Sequence, residues 1–175
     1  LQVFFFVIQI YGWYQWKHGG REGAELAVSH APRKLLLGLL CLIAVGGAGL
    51  GAVLDRSTRA ALPYLDSTQA LMSVVAQWML ARKYLENWQL WIAVNLMTIA
   101  LYAKKSLYLL MFQYGVFLVM AVAGYLAWKR SLGEPTPRWL GKAILAGVAC
   151  FLSLAGWITL AGMRTDLHKA DCIIV

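Results

Sequence analysis

Six apolar runs, each close to the length that carries a helix across a bilayer, fill most of this 175-residue chain. They are Leu1–Trp16, Leu35–Leu54, Ser67–Ala81, Trp88–Ala103, Leu107–Trp128 and Ala143–Met163, here segments A to F. Pro32, Pro63, Pro135 and Pro137 all fall between the runs, as helix punctuation does. Hydrophobic residues make up 61% of the chain and charged ones 14%. A soluble domain is about half apolar and about a quarter charged. The expected fold is therefore an all-α membrane protein, a polytopic bundle of transmembrane helices embedded in a lipid bilayer. Segments C and D are short, and Arg82 and Lys83 at their shared tip can snorkel to the interface.

The net charge of +8 could suggest nucleic acid, but the basic residues sit in the loops and form no stripe on one face. No nucleic-acid partner is expected. Ten basic residues lie in the A–B, C–D and E–F connections: Lys17, Arg21, Arg33, Lys34, Arg82, Lys83, Lys129, Arg130, Arg138 and Lys142. Six lie on the other side: Arg56, Arg59, Lys104, Lys105, Arg164 and Lys169. The richer side is expected to be cytoplasmic. Cys41 and Cys150 fall inside apolar runs and read as small buried hydrophobes, and no cysteine has metal-ligand spacing. Neither end reads as a natural terminus. The chain opens within an apolar run that has no charged n-region or cleavage site, and it stops in ADCIIV, part-way through an expected strand.

Segment B contains AVGGAGLGAVL, with Gly47 and Gly51 in GxxxG spacing, which predicts close helix packing rather than chemistry. Catalytic candidates are poor. His18, His30 and His168 share no segment with a carboxylate or cysteine at ligand spacing, and no GxSxG, HExxH or phosphate-binding glycine loop occurs. No enzyme activity, metal or cofactor is expected. Asp66 in LDSTQ reads as the N-cap of segment C.

Binding candidates are richer. On segment D, Trp88, Trp91, Asn95, Thr98 and Tyr102 alternate three- and four-residue steps and so share one helical stripe. On C, Gln69, Ser73 and Gln77 follow Asp66 in the same way; on A, Gln2, Gln9, Trp13 and Trp16 nearly do; on E, Gln113 sits mid-span beside Tyr114. Neutral polar groups at membrane depth need partners inside the bundle, because lipid offers none. Any single glutamine reads as helix–helix glue. Amides and aromatics on four helices together predict a shared polar cavity. Trp13, Trp16 and Trp128, near helix ends, read as interfacial belt residues. Amides suit hydroxyls, and an indole face suits a planar ring or a delocalised cation, so the ligand is a small polar molecule with a flat ring.

The segments LQVFFF, IYGWYQW, WMLARKYLENWQLWIAVN, LYAKKSLYL and VFLVMAVAGYLAWKR, in this order, resemble the PnuC-type nicotinamide riboside transporters from Leu1 to about Arg130. The resemblance implies a SWEET-like three-plus-one-plus-three arrangement of seven helices in which this chain lacks the first two. Segment A would be the third helix, B the linking helix and C to E the second triplet. It also implies uptake of nicotinamide riboside across the bacterial inner membrane by facilitated diffusion, with a cytosolic kinase trapping the product. The family's WxxWxxxN element falls on Trp88, Trp91 and Asn95. Together with Gln69, Ser73, Gln113 and Gln9 these are the expected substrate-binding residues. A transporter of another vitamin, thiamine or riboflavin, is the alternative within transport. Residues 131–142 read as a linker, 143–163 as an extra helix, and 164–175 resemble the start of a DUF218-type (SanA/ElyC-like) envelope domain. A membrane anchor for such an extracytoplasmic enzyme is the alternative outside transport.

Overall fold

The computed structural model describes residues 2–20, 23–58, 62–104 and 107–136. The expected extra helix at 143–163, the tail at 164–175 and residues 137–142 of the expected linker lie outside them. Within the described residues the chain is all-helical: α1 (Gln2–His18), α2 (Arg33–Ser57), α3 (Pro63–Ala81), α4 (Asn87–Lys104) and α5 (Tyr108–Ser131). These correspond to segments A to E. Two of them, α2 and α5, are long and apolar enough to cross a membrane. Only 17% of the most apolar stretch of each is buried, so that surface faces outward and not into a core.

Helix α3 is the hub, packing against α1, α2 and α4, while α5 packs on α4. The α2–α3 contact is made by the GxxxG pair, as expected. A Cβ added at Gly51 would lie 2.5 Å from Tyr64 Cδ1 and 2.9 Å from its Cα, and one at Gly47 would lie 2.6 Å from Thr68 Oγ1. The close approach brings the buried Ser67 hydroxyl within reach of the Gly47 carbonyl, to which it donates at 2.8 Å. Ile43, Val75 and Met79 carry the seam onward with Ala31.

Helix α3 begins four residues earlier than the apolar pattern indicates, at Pro63, with Leu62 as its N-cap. Proline at the first helical position has no N–H to lose and a preset φ. Asp66 is therefore a first-turn acid and not the cap, placed where the helix dipole favours a negative charge. Cys41 is exposed on α2. The expectation of burial fails because α2 turns only its glycine face toward α3 and leaves the rest of its apolar surface outward.

The three connections with the larger basic count meet at one end of the bundle. Ser29 N–H donates to Lys83 O (3.1 Å) and Leu85 N–H to Ser29 O (2.9 Å), joining the α1–α2 connection to the α3–α4 tip. Lys83, in the left-handed region at φ 53°, is held there by that bridge and by its Nζ donating to Leu26 O at 2.7 Å. Its ammonium also lies 4.8 Å from the Trp16 ring, so this lysine folds inward instead of snorkelling away. His30 spans two carboxylates: Nδ1 is 2.9 Å from Glu86 Oε1 and Nε2 is 2.9 Å from Glu134 Oε1. Glu86 also accepts from Ala31 N–H, and Lys129 lies 3.6 Å from Glu134. A neutral imidazole would turn one lone pair toward a carboxylate, whereas the cation donates from both nitrogens. The hydrogen bonds to Glu86 and then Glu134 accordingly raise the His30 pKa above the usual 6.5.

Two outcomes follow. Gly51→Leu and Gly47→Leu should each lower the melting temperature, since overpacking a tight helix contact costs about 1–3 kcal/mol. Gly49→Ala should not, because a Cβ there meets nothing within 4 Å. The His30 clasp, with its raised pKa, contributes fully below the ordinary histidine value and is lost as pH rises through the raised one. His30→Gln should therefore melt below wild type at about pH 6 and converge with it at about pH 9, read by differential scanning fluorimetry.

Candidate functional site

A cavity of about 380 Å³ opens between α1, α3, α4 and α5, within the range of small-molecule sites. Its wall takes Phe5 from α1, Gln69 and Ser73 from α3, Trp88, Trp91, Val94 and Asn95 from α4, and Tyr114, Phe117, Met120 and Ala121 from α5. Side chains three and four apart on α3 and α4 reach it because those steps keep one face turned inward. Among the described residues, no Asp, Glu, Lys, Arg or His lines it.

The polar groups divide into those that tie the wall together and those left facing the space. Gln69 Nε2 donates to Thr98 Oγ1 at 2.7 Å, and the Thr98 hydroxyl, in a residue 1% exposed, donates in turn to Val94 O at 2.8 Å. This chain joins α3 to α4 directly behind the cavity. Ser73 donates to Gln69 O at 2.9 Å, which leaves its oxygen lone pairs as acceptors. Asn95, 4% exposed, adds an amide to the wall that Trp88, Trp91 and Val94 also line. Such a wall can stack on a flat ring and hydrogen-bond neutral hydroxyl or amide groups.

Five of the seven expected binding residues, Trp88, Trp91, Asn95, Gln69 and Ser73, come together here. The other two are elsewhere. Gln113 is exposed on α5. Gln9 is also exposed, and lines a separate depression of about 230 Å³ with Trp13, Trp16 and Gln77. Gln113 lies one residue, and so about 100° of rotation, from Tyr114, which does reach the cavity. From the α4 stripe, Thr98 and Tyr102 serve the helix contacts: Tyr102 packs on Tyr114 with ring centroids 5.5 Å apart. The wall residues on α5 were not singled out from the sequence. Their signal was a stripe at Tyr114, Phe117 and Ala121, continuing through Gly124 and Trp128.

Of the three expected belt residues, Trp13 is 62% exposed, whereas Trp16 and Trp128 pack on other rings. Trp128 meets Trp88 edge-on at 5.3 Å and Trp16 at 6.0 Å. Trp16 in turn donates from Nε1 to Leu80 O at 3.2 Å. A continuous aromatic contact thus runs from the cavity wall to the end of the bundle that carries the His30 clasp.

Against known proteins, the family described as "Nicotinamide mononucleotide transporter" matches residues 1–130. The nicotinamide riboside transporter PnuC of Escherichia coli is 30% identical over 159 residues, covering 77% of this chain and 66% of that protein. The protein of the same name from Neisseria mucosa is 32% identical over 134 residues, covering 70% and 51%. A crystal structure of the vitamin B3 transporter PnuC superposes with a TM-score of 0.57 at 27% identity, covering 73% of this chain and 58% of that one. The chain therefore spans two thirds or less of the length of the relatives it matches. Those relatives are transporters and not enzymes. With its WxxWxxxN element on the wall of a cavity between packed apolar helices, and the match running unbroken over residues 1–130, this chain belongs to the PnuC-type nicotinamide mononucleotide transporter family.

Proposed function

We propose that the chain is part of a multi-pass carrier of the bacterial inner membrane that moves nicotinamide riboside by facilitated diffusion. The observation that carries this reading is the uncharged cavity walled by Trp88, Trp91 and Asn95 from α4 and by Gln69 and Ser73 from α3. Nicotinamide riboside offers a flat pyridinium with a delocalised positive charge, a carboxamide and ribose hydroxyls. The indoles suit the ring, Asn95 suits the carboxamide or a hydroxyl, and the Ser73 oxygen can accept from the ribose.

The family description speaks of the mononucleotide, and the relatives' names speak of the riboside. The wall favours the riboside. A phosphate brought out of water needs cationic or multiple N–H partners, and among the described residues no cationic side chain lines this space.

On this reading residues 1–130 form the carrier region in a SWEET-like arrangement. α1 belongs to one helix triplet, α2 is the link, and α3 to α5 are the other triplet. Helix α2 fits a linking role, since it packs on α3 through glycines and leaves its remaining faces outward. The end that gathers the three basic connections faces the cytoplasm. Facilitated diffusion is supported by the described cavity wall, on which no carboxylate, lysine, arginine or histidine lies, because ion-coupled carriers keep such a group at membrane depth. Net uptake then needs a cytosolic kinase to phosphorylate the riboside and hold it inside.

The binding reading is tested by titration calorimetry on protein expressed from its complete gene. Trp91→Ala and Asn95→Ala should each weaken nicotinamide riboside binding roughly ten- to a hundredfold. A desolvated cation–π contact is worth about 2 kcal/mol and a lost buried amide partner about 1–3 kcal/mol, with about 1.4 kcal/mol per factor of ten. Trp91→Phe should keep more affinity than Trp91→Ala because a ring face survives. Wild-type affinity in both alanine variants would reduce the stripe to helix packing. In proteoliposomes, uptake should equilibrate without concentrating substrate and ignore imposed proton or sodium gradients; accumulation without a kinase would overturn passive transport.

A further inference from the structure

We propose that Gly124 and Trp128, neither of which lines the cavity, are positioning residues that set the plane of Trp88 and through it the cavity's affinity for a flat ring. The proposal rests on the reading of this cavity as the riboside site. Trp88 lies on the wall, and its six-membered edge is driven against the backbone of α5. A Cβ added at Gly124 would lie 2.4 Å from Cη2, 2.5 Å from Cζ2 and 2.6 Å from Cζ3 of that indole. Three ring atoms inside 3 Å leave no room for a methyl group, and the nearby atoms belong to a rigid ring, not to the free end of a flexible chain.

One turn further along α5, Trp128 meets the same indole edge-on, with centroids 5.3 Å apart and planes at 82°. A tryptophan has two side-chain torsions, and two contacts from one neighbouring helix suffice to fix both. Trp128 is itself braced by Trp16, whose ring is anchored to Leu80 O. The seat is not simply the best packing for this position. It leaves Trp88 Nε1 buried with no acceptor among the described residues, a cost that a phenyl ring in the same slot would not carry. The fit of glycine to indole edge accordingly selects an orientation, and that orientation is presented to the cavity.

The experiment is a double-mutant cycle in the protein expressed from its complete gene, read by calorimetric titration of nicotinamide riboside and by melting temperature. Gly124→Ala should weaken binding by about tenfold when Trp88 is present. In a Trp88→Phe background, where the smaller ring vacates the slot, the added Gly124→Ala should change affinity less than about twofold. Trp128→Ala should weaken binding more than Trp128→Phe, which keeps an edge-on ring, and both should fold even if Gly124→Ala does not. Equal losses in both backgrounds, or no loss in the Trp88 background, would overturn the proposal, since separation of α4 from α5 would not depend on the ring at position 88. A ligand-free readout separates this outcome from failure of the riboside reading. With 5-fluorotryptophan incorporated, the ¹⁹F resonance that vanishes in Trp88→Phe should move in Trp128→Phe and Gly124→Ala while that of Trp91 stays. If wild type binds no riboside, the substrate reading fails, and a moved or unmoved Trp88 resonance supports or overturns the positioning role by itself.

Discussion

The hydrogen bond from Gln69 Nε2 to Thr98 Oγ1, 2.7 Å long and joining α3 to α4, is the contact on which the rest of the site depends. Between two helices surrounded by apolar surface, water does not compete for these groups and lipid offers no substitute, so the amide and the hydroxyl must find each other. Their pairing fixes the rotation of α4 relative to α3. With that rotation set, Asn95 and Trp91, three and seven residues before Thr98, are turned into the space that Gln69 and Ser73 face. The polar wall is a consequence of helix glue, and the two roles belong to different atoms of the same stripe.

Helix α3 receives this bond because it is packed on both flanks. The glycines of α2 let that helix approach until Ser67 reaches the Gly47 carbonyl, and α1 comes so close at the other end that a Cβ added at Gly12 would lie 3.2 Å from Ala81 Cβ. The connections then close over one end of the bundle, where His30 draws Glu86 and Glu134 together. From there Lys83, Trp16, Trp128 and Trp88 touch in succession down to the cavity. A change of the clasp therefore has a route of packed rings to the wall, although coupling along such a route is established only by measuring it.

Much of this was legible in the sequence. The apolar runs marked five helices to within a few residues, the GxxxG pair marked the α2–α3 seam, and the three- and four-residue steps on α4 marked the wall. What escaped has physical causes. Pro63 lies between two apolar runs, but a proline at the first helical position starts a helix as readily as it ends a linker. On α5 nearly every residue is apolar, so no contrast between faces shows which side turns inward. Gln113 is polar but lines no part of the cavity, while the stripe of Tyr114, Phe117, Ala121 and Gly124 that borders the cavity or Trp88 differs from the rest of the helix by side-chain size and not by polarity. Trp16 and Trp128 lie near helix ends, where belt residues also occur, and only their contacts distinguish a brace from an anchor.

The central claim is that this wall is built for a flat, cationic, phosphate-free ligand. The most direct test is a paired calorimetric titration of the purified protein with nicotinamide riboside and with nicotinamide mononucleotide under one buffer. An uncharged wall leaves the phosphate desolvated without a partner, so the riboside should bind and the mononucleotide should bind at least about tenfold more weakly. Equal affinity for the two, or tighter binding of the mononucleotide, would contradict it.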